Sequence, residues 1–409
     1  MVYVPPSRRG YERKTTDRVR IKVFMKFLIM AFLACDFVTP MRGASIPEPV
    51  HRIDATKFGF TPAYFEPNRV FFRDYTLARL MAADPESKLI MLSENIAVLY
   101  ATRPADGIHT HKPDCLQAFF IDVSSGKLLR KQEWHVRTRQ LDSDRLDSEA
   151  RILPLSSGRY FVMADGKMHV YDADGEATRA EVLSDGIWAA KSVSNGDIIV
   201  LRHSQWPGYL AVEYEWLDST TLNVLRRFEE TDNARARMPY SAASRSVTYE
   251  LRDGLHEVMP DGADRLICAD PMCRFPANAN WEVLGRPSQE RVLLVSPQGL
   301  LVALAEDGRL WSRMTGYPGT GPVNVHIALL EISRKGNRFI LGLNGKHKTF
   351  DGVPLQGNWQ YFIYDLATRA PVLIVPQLSV NGDVHEALSP TGKRFLTFDG
   401  RSIRVYELP

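Results

Sequence analysis

Two histidines two residues apart, His109-Thr110-His111, are the sharpest chemical feature of this chain, because a strand or loop with that spacing can present both imidazoles to one divalent metal ion. Two ligands do not complete a site, and a solvated polar loop accounts for the same residues. Imidazole recurs beside aromatic side chains at His203, Trp206 and Tyr209, and again at His347, Lys348, Phe350 and Trp359, combinations suited to holding a ligand or a protein surface. The acidic run Asp142, Asp144, Asp147 and Glu149 lacks the glycine at the sixth position and the distal glutamate that a calcium loop needs. Ser124 and Lys127 match Ser-x-x-Lys in letters but fall in a hairpin turn. No Gly-x-Ser-x-Gly, phosphate loop, His-Glu-x-x-His or helix-opening Gly-x-Gly-x-x-Gly occurs, so no catalytic residue is assigned and no cofactor is predicted.

Of the four cysteines, Cys268 and Cys273 are separated by a turn at Asp270-Pro271 and could close a small disulfide loop in an oxidising compartment. Their metal alternative has no flanking His or Cys to complete a ligand set.

Such residues need elements to position them, and composition narrows the choice. Of the 409 residues, 44% are apolar and 24% charged, enough to bury a large core. Aromatics reach 10%, and no long Ala/Glu/Lys/Leu tract occurs, which favours strands over a coiled coil or bundle. The net charge of +3 comes from the first 44 residues, with nine Lys/Arg against three Asp/Glu. Residues 45–409 therefore carry 42 basic and 45 acidic groups, a mixed surface without the footprint of a nucleic-acid or anionic-lipid binder.

Within that leader, Phe27 to Ala34 form a short apolar stretch preceded by Lys22 and Lys26 and followed by Gly43-Ala44-Ser45, the pattern of a secretory signal. It is far short of the about 20 residues a membrane-spanning helix needs, so no transmembrane span is expected in the mature chain. Residues 1–44 read as the leader, with Met25 a second candidate start, and Cys35 offers lipoprotein anchoring as an alternative to simple export.

The rest of the chain repeats. An apolar run, a Ser/Gly turn and a second run are followed by a third run, a second turn and a fourth. The opening turn recurs at Ser93-Glu94-Asn95, Ser156-Ser157-Gly158, Ser194-Asn195-Gly196, Ser333-Arg334-Lys335-Gly336 and Ser389-Pro390-Thr391-Gly392, and in weaker form near Ser244 and Ser288. From Ser93 to Ser389 the mean interval is about 49 residues, near the 40 to 50 of a four-stranded propeller blade. The expected fold is all-β: a seven-bladed β-propeller of four-stranded antiparallel blades over residues 45–409, with blades near 88–134, 150–183, 187–229, 238–269, 281–313, 325–375 and 383–408. The last unit has only three strands, and the N-terminal segment Arg69 to Leu80 is expected to supply the fourth and close the ring.

Ser389-Pro390-Thr391-Gly392-Lys393, Ser296-Pro297-Gln298-Gly299, Phe120 to Lys127 (Phe-Ile-Asp-Val-Ser-Ser-Gly-Lys) and Tyr361 to Thr368 (Tyr-Phe-Ile-Tyr-Asp-Leu-Ala-Thr) resemble the repeats of bacterial exported WD40-like and YVTN-type seven-bladed propellers. The resemblance covers most of residues 69–409 and lacks the Gly-His and Trp-Asp signature of eukaryotic WD40 blades. It implies a fold, and roles from protein scaffolding to the propeller subunits of periplasmic quinoprotein dehydrogenases.

Short turns are expected on one face of such a ring and long connections on the other. The long-loop face would gather His109, His111, His203, Trp206, Tyr209, His347 and Trp359, while His326, His385 and Glu386 begin first strands near the channel mouth. A monomeric scaffold binding a protein or cell-envelope ligand through that face is the expected function. The alternative is a periplasmic enzyme or enzyme subunit with a site at the mouth.

Overall fold

The computed structural model describes residues 48–60, 88–103, 115–135, 151–164, 167–182, 187–193, 196–204, 212–229, 235–237, 247–251, 254–258, 264–268, 282–288, 291–295, 301–306, 309–316, 326–333, 337–344, 346–350, 353–356, 360–368, 370–376 and 385–409. Within the third sheet's first strand and most of the fourth and fifth sheets, backbone and strand pairing alone are described.

The described strands pair into seven antiparallel sheets, six of four strands and one of six. The first sheet runs Lys88–Met91, Ile96–Arg103, Cys115–Asp122, Lys127–His135, and the second Arg151–Pro154, Tyr160–Ala164, Lys167–Tyr171, Ala177–Val182. The third is Ile187–Val193, Ile198–Ser204, Val212–Asp218, Val224–Glu229, and the fourth Arg235–Arg237, Val247–Leu251, Gly254–Val258, Asp264–Cys268. The fifth begins Glu282–Ser288, Arg291–Val295, Leu301–Glu306, Arg309–Gly316, and the sixth is His326–Ile332, Arg338–Asn344, Gln360–Asp365, Ala370–Pro376. The seventh is His385–Leu388, Arg394–Phe398, Ser402–Glu407, followed on its outer edge by His51–Asp54.

Neighbouring strands in each sheet run antiparallel, and apolar clusters join the sheets whose side chains are described. One apolar cluster joins the sixth and seventh sheets through Ile340, Tyr361, Leu388 and Phe395. Another joins the seventh to the first through Ile53, Leu89, Phe119, Leu396 and Phe398. Val98, Phe120, Ile152 and Tyr160 join the first to the second, and Phe161, Met163, Ile199 and Leu217 the second to the third. Period-two alternation explains how one strand serves two neighbours: Ala387 packs toward the first sheet and the adjacent Leu388 toward the sixth. The first-listed strands of consecutive sheets touch, in the succession third, second, first, seventh, sixth, fifth, so they form the inner edge of a radial array. This is a β-propeller built of four-stranded antiparallel sheets.

The last sheet is completed by an N-terminal strand, as expected, but by a different one. His51–Asp54 pairs with Ser402–Val405, with Ile53 opposite Ile403. Arg69–Leu80 lies outside the described residues, and the edge it was expected to fill is taken. Four residues with Ile53 as their one buried side chain give no alternation to read in the sequence. After this strand Asp54 caps a 3-10 turn by accepting from the Thr56 N–H at 3.1 Å, and Gly59 reverses the chain at φ 81. Phe60 is thereby delivered into the joint between the seventh and first sheets, edge-on to Phe119 at 5.6 Å and to Phe398 at 5.3 Å between centroids.

The segment 344–358, expected as a long loop, holds a hairpin. Lys346–Phe350 and Val353–Gln356 pair with each other and extend the fifth sheet through Thr315 and Gly316, giving it six strands. Asp-Gly at 351–352 stands between these two strands in the sequence, a strong hairpin signal. Cys268 ends the fourth sheet's last strand, and Cys273 lies outside the described residues.

Phe60→Ala is expected to cost about 3–5 kcal/mol, because the vacated joint between the first and last sheets has no side chain free to fill it. Chemical denaturation monitored by tryptophan fluorescence checks this; a loss below about 1 kcal/mol would mean that Phe60 is not part of the joint.

Candidate functional site

The described turns of the radial array follow a common pattern. At the end carrying the first-to-second strand turns, a serine closes each of several turns. Ser93 Oγ accepts from the Ile96 N–H at 3.1 Å, Ser333 Oγ from the Arg338 N–H at 3.0 Å, and Ser389 Oγ from the Arg394 N–H at 3.0 Å. These are the side-chain-to-backbone bonds that make serine a turn residue, and they are why the opening turn repeats in the sequence. The third-to-fourth strand turns use aspartate instead. Asp122 Oδ1 accepts from Ser124 and Ser125, Asp218 Oδ1 from Thr220 and Thr221, and Asp365 Oδ1 from Ala367 and Thr368, all through backbone N–H groups.

These hydrogen bonds favour the ionised carboxylates. At Asp122 the Ser124 N–H does most to lower the carboxyl's pKa. At Asp218 and Asp365 burial works against ionisation and the turn donors outweigh it, so both also lie below the usual carboxylate value.

Arginines then tie one sheet to the next. Arg394 Nη1 donates to the Glu94 carbonyl at 2.8 Å and to Asn95 Oδ1 at 2.5 Å, linking the seventh sheet to the first. The Thr391 N–H donates to Glu94 Oε1 across the same joint at 2.7 Å. Arg338 of the sixth sheet donates to the Gly392 carbonyl of the seventh at 2.7 Å and lies 3.6 Å from Asp365 of its own sheet. Arg159 of the second donates to Thr220 and Ser219 of the third. Sequence reasoning missed this set, although its signal was present: Ser156 and Arg159, Ser333 and Arg338, and Ser389 and Arg394 each place an arginine at, or one residue before, the start of a second strand shortly after the turn serine.

Glycine in these turns answers to close approach. Gly196 has φ +90, and a Cβ there would sit 2.4 Å from the Leu155 carbonyl carbon of the preceding sheet. Among the described residues this end is short-turned and hydrogen-bonded to itself from one sheet to the next.

Four of the histidines singled out in the sequence lie among the described residues. His385 opens the inner strand of the seventh sheet, half-buried and in register with Phe398, and His326 opens that of the sixth, in register with Asn344. His203 lies near the end of its strand opposite Ile187 and Glu213, and His347 lies in the hairpin of the fifth sheet. His109, His111, Trp206, Tyr209, Trp359 and the acidic run 142–149 lie outside the described residues. No group of three His, Cys, Asp or Glu side chains able to hold a metal occurs among the described residues, and no described helix is long and apolar enough to cross a membrane.

What the structure does bring together is a carboxyl-centred joint beside His385. Glu386 alternates with Ala387 and so faces the sixth sheet with Leu388. Burial raises its pKa to about 8. Tyr361 in that joint is raised above its usual value, first by burial and then by the charge of Glu386. The same joint holds Glu331, whose Oε2 accepts the Leu388 N–H at 2.7 Å and ties the two inner strands together.

No family model matches the chain, and no curated protein matches it. It is similar to the solved C-terminal WD40 domain of Sif2, at 9% identity and a TM-score of 0.42, with 80% of this chain and 96% of that one covered. It is similar also to the β-propeller domain of Cps50 (Swd1) from Myceliophteria thermophila, at 10% identity and a TM-score of 0.41, with 80% and 97% covered. The assignment to the propeller class rests on the strand pairing and the radial packing described above.

Two outcomes are expected. Gly196→Ala should destabilise by at least about 2 kcal/mol, since the substitution combines a left-handed backbone with a clash against backbone atoms; an unchanged denaturation midpoint would contradict the packing of that turn. For Glu386 the folded-state pKa lies above the unfolded value of about 4.3, so the folded state keeps a proton that the unfolded chain releases. Stability should therefore fall as pH rises from about 4 to about 8 and level off above, and Glu386→Gln should flatten that slope in a denaturation series. An identical slope in the variant would remove Glu386 as its source.

Proposed function

We propose that the protein is an exported propeller, closed as a ring of seven blades, that acts as a binding scaffold through its long-loop end. The observation that carries this reading is the inequality of the two ends. The short-turn end uses its serine, aspartate and arginine side chains on neighbouring sheets, while the connections rich in His, Trp and Tyr are expected at the other. The succession of touching inner strands and the pairing of His51–Asp54 with the last sheet support the closed ring. Export rests on the leader-like stretch Phe27 to Ala34, and a protein or cell-envelope component is the partner class. The likeness to bacterial YVTN-type repeats supports the same role.

One observation favours a second reading. A carboxyl with its pKa near 8 beside the start of an inner strand has the protonation behaviour of a general acid or base, which would suit an enzyme acting at the mouth.

Cross-linking of the tagged protein in intact cells, followed by fractionation, tests the scaffold reading. The expected result is a chain cleaved near residue 45, outside the cytoplasm, with a defined partner lost from the Trp206→Ala/Trp359→Ala double variant and retained by Lys127→Ala on the short-turn end. A full-length cytoplasmic chain, or equal partner capture by both variants, would overturn it.

A further inference from the structure

We propose that the outer edge of the third sheet is a docking site for an extended, acidic segment of a partner protein, which adds to the sheet as a further strand and lays a carboxylate against Arg226. The site lies on the rim of the array and does not depend on the long-loop end. Val224–Glu229 is the last strand of its sheet, so its outward backbone groups pair with no described strand. An open edge of this kind is a template for another strand. Elsewhere in this molecule such an edge is filled: His51–Asp54 covers that of the seventh sheet, and Lys346–Phe350 extends the fifth. On the third sheet, Val224 and Leu225 stand next to each other at 47% and 45% exposure, a pair of large apolar side chains that no other outer strand presents among the described residues.

Arg226 sets the charge of the occupant. In the first and third sheets alike, the outer strand carries a one-residue bulge, and the arginine after it stands opposite an aromatic residue: Arg130 opposite Phe120, and Arg226 opposite Trp216. Arg130 reaches the second sheet, where its Nη1 donates to the Ala173 carbonyl at 2.9 Å, with its guanidinium carbon 3.9 Å from the centre of the Phe120 ring. Arg226 is half-buried, and its Nε is a buried donor that meets no acceptor. The indole Nε1 of Trp216, fully buried and paired with Arg226 across the two strands, is a second such donor. Both groups can only donate, and a buried donor without an acceptor is costly, so acceptor oxygens are what this face of the sheet lacks. A carboxylate supplies them and offsets the guanidinium charge. The adjacent Arg227 stands on the other face, where its Nε donates to Glu215 Oε1 at 2.9 Å. In a strand added along the edge, the residue opposite Arg226 has its side chain on the same face, about 4.5–5.5 Å away between Cβ atoms, within reach of the guanidinium.

Fluorescence anisotropy of a labelled short peptide of alternating valine and glutamate, titrated with the protein at physiological ionic strength, tests this. Saturable binding is expected, weakened about tenfold or more by Arg226→Gln and severalfold by Leu225→Glu, which sets a like charge on the edge. Methylating the peptide's alternate amide nitrogens should abolish binding, because a strand without those donors cannot pair with the edge. The control Lys131→Gln removes a charge from the outer strand of the first sheet and should leave the affinity unchanged. If Arg226→Gln fails to fold, as judged by its melting curve, Leu225→Glu at its exposed position carries the test. Absence of saturable binding, equal binding of a valine and lysine peptide, full affinity of the methylated peptide, or parent affinity in the folded edge variants would overturn the proposal. Partner capture by the Trp206→Ala/Trp359→Ala variant reports on a different surface, so failure of the scaffold reading and failure of the edge site are distinguishable.

Discussion

A four-stranded sheet with apolar side chains on both faces has no stable existence alone, because whichever face lacks a neighbour exposes its Phe, Tyr, Leu and Ile residues to water. In a linear row of such sheets the problem is moved to the two ends. Here the end sheets meet: Leu396, Phe398 and Ile403 of the last pack with Leu89, Phe119 and Ile121 of the first. Ile53 and Phe60 are brought from the N-terminal side of the described chain into the same joint. That contact joins the third, second and first sheets to the seventh, sixth and fifth, the succession in which the described inner strands touch.

The polar links reinforce the apolar joints. Arg338 and Arg394 begin second strands, where a long planar donor reaches the next sheet's turn and finds carbonyls already fixed in place. Fixing those carbonyls takes short turns, short turns take serine, aspartate and glycine at set positions, and those residues then have their hydrogen-bonding capacity spent within the molecule. The opposite end is released from this demand. Its connections vary in length, and in the fifth and sixth sheets one has grown into a hairpin that extends a neighbouring sheet instead of covering its own.

Much of the fold was legible because the repeated turns are the part of a propeller most tightly constrained by local chemistry. Ser389 to Gly392 announces its turn by residue type alone, whereas His51–Asp54 is a strand solely because Ser402–Val405 lies beside it. Likewise the arginines at 159, 338 and 394 look like ordinary charged surface until the neighbouring sheet is placed next to them. Asp351-Gly352 is the opposite case, a hairpin signal legible in the sequence, while the sheet that its two strands extend is not. Of the candidate site, the positions of His326, His385 and Glu386 at strand openings followed from the strand pattern. The side on which Glu386 stands did not, as it depends on which neighbour Leu388 packs against.

Contact between the first and last sheets is the joint that holds the two halves of this succession together. Native-state hydrogen exchange, read at the amides of Arg394–Phe398 and Ser402–Val405 against those of Ile96–Arg103 and Cys115–Asp122, tests it most directly. The account predicts that all four strands exchange through one global opening with a common free energy and a common denaturant dependence. Earlier, independent exchange of the last sheet at low denaturant, with the first sheet still protected, would show that the array stands without its closing joint and would contradict the account.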